Sequence, residues 1–146
     1  MNKVLFAAAL MLAGHATFAQ KSEIFAPKGK AIKGYDVVSF FKDAKPVEGA
    51  DSLTYHYKDA DWLFSSRANL EAFKTAPDMY IPQYGGYCAY GTSEGHKAPT
   101  EAETWTIVDD KLYFNYNMKV KNNWSKTREE FIEKADIQWP LIKDKQ

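Results

Sequence analysis

Leu53-Thr54-Tyr55-His56-Tyr57 and Trp62-Leu63-Phe64, separated by the polar Lys58-Asp59-Ala60-Asp61, are followed at once by Ser65-Ser66-Arg67-Ala68-Asn69-Leu70-Glu71-Ala72-Phe73-Lys74-Thr75-Ala76-Pro77. The two short runs rich in β-branched and aromatic residues predict a hairpin turning at 58–61. Ser65 or Ser66 then offers a helix N-cap, Leu70, Phe73 and Ala76 recur at helical spacing, and Pro77 stops the pattern. A helix over about 67–75 follows. Phe64, Leu70 and Phe73 are directed to one interior and belong to the core.

The same grammar recurs downstream. Thr104-Trp105-Thr106-Ile107-Val108 and Lys111-Leu112-Tyr113-Phe114-Asn115-Tyr116 flank Asp109-Asp110, which predicts a second hairpin. Trp124, Phe131, Ala135 and Trp139 fall near multiples of 3.6, with Ser125 or Thr127 as cap and Pro140 as terminator, so a C-terminal helix is expected. Pro82–Gly95 is rich in tyrosine and glycine without a clean period, and reads as a loop or a short helix. Two hairpins alternating with helices predict an α+β fold, a small antiparallel sheet with helices packed on it.

The N-terminus changes the compartment. A short positive end at Met1-Asn2-Lys3, an uncharged apolar run from Val4 to Ala13 and the small residues of Thr17-Phe18-Ala19 have the pattern of a secretory signal over 1–19. The run is about half of the roughly 20 residues a spanning helix needs, so no membrane span is expected in the mature chain. Residues 20–30 read as a flexible lead-in and 31–146 as one domain, a monomer in the periplasm or outside the cell. With 19 basic against 19 acidic side chains the net charge is zero, which excludes the electrostatic footprint of a nucleic-acid binder. Cys88 is the only cysteine, so no intramolecular disulfide supports the core.

The residues that offer chemistry are few. Cys88 reads as a soft metal ligand, a nucleophile or a small buried hydrophobe. His96 and His56 could join it as metal ligands, with Met79 or Met118 adding a thioether, a donor set suited to copper(I) or another soft metal ion; His96 also reads as a solvated loop residue. A Cys88–His96 dyad oriented by Asp36 or Asn69 is the enzyme alternative, without a supporting motif. Asp36 otherwise reads as a turn or cap carboxylate, and it stands with the tyrosines below as a candidate ligand-binding residue. Tyr84, Tyr87 and Tyr90 recur every three residues and either line a pocket for a flat small-molecule ligand or cap the core edge.

Trp62-Leu63-Phe64-Ser65-Ser66 with Asn69, Phe73, Pro77 and Tyr80 resembles the YHS domain, a module found beside heavy-metal transporters and in some oxygenases. Gly34-Tyr35-Asp36-Val37-Val38-Ser39-Phe40-Phe41, Pro82-Gln83-Tyr84-Gly85-Gly86-Tyr87-Cys88-Ala89-Tyr90-Gly91, Trp105, Lys134-Ala135-Asp136 and Trp139-Pro140 extend the likeness to the exported, stand-alone YHS-domain proteins of bacteria. The resemblance implies a binding module, with a metal ion such as copper as the ligand class pointed at Cys88, and a small molecule or partner protein on the Tyr84–Tyr90 surface as the alternative. In metal-associated YHS modules three cysteines stand where this chain has Ser39, Ser65 and Asn69. Hard oxygen and amide groups thus replace soft thiolates there. N-terminal analysis of exported protein should begin at Gln20 or its cyclised form; a retained Met1 would contradict the signal assignment.

Overall fold

Both hairpins turn on a pair of residues with left-handed backbone. In the computed structural model, which describes residues 22–145, Lys58 and Asp59 have φ of 51° and 56°, and Asp109 and Asp110 have 50° and 61°. Two successive positive φ values give the two-residue turn whose twist matches that of its strands. They close β1 (Ala50–Tyr57) on β2 (Ala60–Phe64), and β3 (Thr106–Val108) on β4 (Lys111–Tyr113). The fold is α+β, but the hairpins remain two separate two-stranded antiparallel sheets rather than the single sheet expected. Irregular chain meets them instead: Lys30 bridges Asp61 of β2, and Cys88 bridges Phe114 just past β4.

The helices are α1 (Val37–Lys42), α2 (Arg67–Thr75), α3 (Ala89–Ser93), α4 (Met118–Lys126) and α5 (Arg128–Ile142). The second of these matches its expected bounds, and its cap is Ser66, whose Oγ accepts from the Asn69 amide at 3.1 Å. The expected single C-terminal helix is two. The backbone leaves the helical region at Thr127 (φ −140°), so Trp124 belongs to α4, which Asn117 caps. Pro140 lies inside α5, and the Lys143 amide still reaches the Trp139 carbonyl across it at 2.8 Å.

Successive residues of extended chain face opposite ways, and β4 with the adjoining Phe114 uses this to divide the interior. Leu112 and Phe114 enter the main core with Ile24, Phe40, Trp62, Phe64, Leu70 and Phe73. Tyr113 faces a second cluster with Tyr84, Ala89, Trp124 and Ala135. The lead-in expected to be loose is packed from Ser22 onward, because Ile24 is only 1% exposed and helps to fill the main core. We refer to Ser22–Phe25 as the strap: the Phe25 amide donates to Gly85 and the Ile32 amide to Phe25. The signal segment lies outside the described residues, and no described helix is long and apolar enough to cross a membrane.

Phe73 meets the rings of Tyr55, Tyr57, Trp62 and Phe64 at centroid distances of 4.9 to 6.2 Å. Phe73→Ala should cost about 3 to 5 kcal/mol through lost burial and the cavity left behind. Urea denaturation checks it, and an unchanged midpoint contradicts the placement.

Candidate functional site

The tyrosine and glycine string is held by three successive left-handed residues: Tyr84 (φ 56°), Gly85 (61°) and Gly86 (88°). The glycines are sterically required. A Cβ on Gly85 would lie 1.8 Å from the Glu23 carbonyl oxygen, and one on Gly86 would lie 2.2 Å from Cδ1 of Ile32. Tyr84 has no such licence for positive φ, and it is fixed instead by its buried ring and by its hydroxyl, which donates to Asp136 Oδ1 at 2.8 Å.

All three tyrosines of the string meet α5. The rings of Tyr84 and Tyr87 lie 6.1 and 6.3 Å from that of Trp139, and Tyr90 lies 5.1 Å from Phe131. Tyr87 also donates to the carbonyl of Ser22 at 2.8 Å. The spacing of three thus brings the rings under one helix. They dock α5 and also hold its neighbours, Tyr87 meeting Phe25 of the strap at 5.5 Å and Tyr84 meeting Tyr113 of β4 at 5.9 Å, and of the three Tyr84 reaches the adjacent cleft.

Cys88 is wholly buried as the N-cap of α3. Its sulfur accepts from the amides of Gly91 (3.4 Å) and Tyr116 (3.2 Å), and the thiol donates toward Asn115 Oδ1 (3.6 Å). Burial pushes the thiol above its ordinary pKa despite those amides, so it stays protonated. His96 is exposed beside Gly91, while His56 is exposed on β1 with Nδ1 2.8 Å from Asp61 Oδ1. Among the described residues no group of three or more His, Cys, Asp or Glu could hold a metal ion, so Cys88, His96 and His56 are not assembled into one site. Met79 and Met118 are exposed.

Asp36 is buried and caps α1. Its carboxylate accepts five hydrogen bonds, from the amides of Val38, Ser39 and Ser65, the Ser65 hydroxyl and the Asn69 side-chain amide. Ser39, Ser65 and Asn69, far apart in sequence, therefore converge on one anion, and Asp36, expected beside the tyrosines as a ligand-binding residue, is instead enclosed by these donors and does not line the cleft beside Tyr84. Asn69 turns its NH₂ inward and its oxygen toward Lys42 (3.4 Å), so the cluster is satisfied by donors and is not arranged for a cation. Burial alone would raise the Asp36 pKa; the bonds from Asn69, Ser65 and Ser39 outweigh it and hold the carboxyl below its ordinary value.

A cleft of about 430 Å³ opens beside Tyr84, walled by the strap and α5 and bordered by the tips of both hairpins. Glu23, Lys58, Tyr84, Lys111, Asp136 and Trp139 are among its lining residues, and Lys58 pairs with Glu23 at 3.1 Å. Burial and Asp136 together raise the Tyr84 phenol, and burial with Asp136 and Asp109 pushes Tyr113 up to about 12, so both remain hydrogen-bond donors at neutral pH. Lys58, Lys111 and Asp136 carry no spacing signal in the sequence, because strap, hairpin tips and helix become neighbours only on folding. Trp139 was legible as an aromatic of the C-terminal helix pattern and as part of the Trp139-Pro140 resemblance, but not as a wall of this cleft.

Compared with protein-family models, curated proteins and solved structures, the chain finds no match in any of the three.

Asp36 contributes stability that is complete above its ordinary value of 3.8 and is lost as pH falls below it toward the lowered folded value. The raised Cys88 thiol works the other way: its contribution is complete below 9.0 and is lost as pH rises beyond that toward the folded value. Melting temperature against pH should show a plateau with both limbs. Asp36→Asn should flatten the acid limb and cost about 3 kcal/mol at neutral pH, since it places an amide among donors.

Proposed function

We propose that this chain is an exported binding module of the YHS type that takes a small molecule in the cleft beside Tyr84. The observation that carries the reading is the Tyr84–Asp136 hydrogen bond on the cleft wall, built on a non-glycine residue in left-handed backbone. The volume is in the range of small-ligand sites, and the lining combines the ring of Trp139 with charged groups of both signs. A flat ligand with hydrogen-bonding substituents fits that chemistry: the ring offers an apolar wall, and the carboxylate and ammonium groups orient polar edges.

A metal ion at Cys88 is the weaker reading. The sulfur is enclosed, protonated and already engaged with two amides, while the candidate histidines lie on the surface. Nothing in the site favours cysteine chemistry either, because a thiol held protonated is a poor nucleophile.

Native mass spectrometry of the exported protein tests the proposal. A retained organic mass should be lost, or its affinity by titration calorimetry should fall about tenfold, in Asp136→Asn and in Tyr84→Phe. A retained metal mass that survives both substitutions and disappears in Cys88→Ser would overturn it.

A further inference from the structure

Lys97 lies in the segment that follows α3, yet its side chain is almost fully buried, at 6% exposure. The ammonium donates to the carbonyls of Ser22 (3.3 Å), Lys143 (2.5 Å) and Lys145 (2.9 Å). It also stands 5.3 Å from the ring centre of Tyr87 and 5.8 Å from that of Trp139. One cation therefore touches both ends of the described chain.

Each end has a physical need for it. The closing carbonyls of a helix lack intrahelical partners, and a cation there complements the helix dipole. No basic residue stands in the last turn of α5, and Lys97 brings the charge from another segment. Ser22 supplies the carbonyl that also accepts from the Tyr87 hydroxyl, so the same acceptor anchors the strap to the ring that touches Lys97.

We propose that Lys97 is the pin of a latch through which the strap and the C-terminal end of α5 loosen together. If the strap leaves, the buried ammonium loses the Ser22 carbonyl; if the helix end leaves, it loses those of Lys143 and Lys145, and its hold on the strap weakens with the geometry of Tyr87 and Trp139. Strap and α5 are also two walls of the cleft, so their joint loosening widens it. The latch stands independently of what the cleft binds, because its test reads backbone protection.

Hydrogen exchange on Lys97→Met, which keeps the apolar stem and removes the charge, gives the test. Exchange at Phe25, Ile32, Lys143 and Lys145 should accelerate together by about tenfold, while amides of β1, β2 and α2 keep their protection as the internal control of folding. Should Lys97→Met fail to fold, Tyr87→Phe removes a single bond to Ser22 and should still loosen both ends. Acceleration at one end only, or at neither, in a variant whose control amides are protected overturns the latch.

Discussion

A buried carboxylate in an apolar interior is tolerable only if its oxygens are saturated with donors, and Asp36 meets that condition by drawing three segments to itself. The start of α1, the corner where β2 turns into α2 and the first turn of α2 all donate to it. Its own amide reaches the Val47 carbonyl, which ties in the chain that leads to β1. Phe40 follows one turn into α1, and its ring lands against Phe114 at 5.2 Å and Trp105 at 5.8 Å. The anion thus positions the element that joins the first hairpin to the second.

The second organising constraint is steric. The Gly85 and Gly86 backbone is approached so closely by the strap and by Ile32 that no side chain fits. The string that looks most like a site is consequently occupied with architecture: two glycines seat the strap, three tyrosines seat α5, and Cys88 caps α3. A ligand can reach the edge of this assembly, where the exposed Asp136 meets the buried Tyr84 on the cleft wall, between two walls that Lys97 holds at their ends.

Cys88 shows why residue type alone misleads. A lone cysteine after two glycines has the same appearance in sequence whether it faces a metal or a core. Burial resolves it here, since a thiol enclosed with two amide donors and pushed up in pKa serves as a helix cap. The histidines show the converse. They are accessible, but one pairs with Asp61 across a hairpin and the other lies near Gly91, and among the described residues no third donor gathers them.

The α+β class, both hairpins and the bounds of α2 were legible in the sequence because their signals are local: strand-forming runs, polar turns, a serine cap and a terminal proline within one or two turns of chain. Asp36 as a cap was legible for the same reason. Thr127 was legible too as a cap position, and α5 starts directly after it, although its side chain makes no capping bond. The separate helix α4 before it, the passage of α5 through Pro140 and the separation of the hairpins were not, because packing of Trp124 and Ala135 and the bridges from Lys30 and Cys88 set them. Nor was the cleft, whose strap, hairpin tips and helix are brought together only by burial of Ile24 and docking of the tyrosines. Local backbone chemistry is written along the chain, whereas the partner of a buried charge or ring depends on which distant segment arrives to satisfy it.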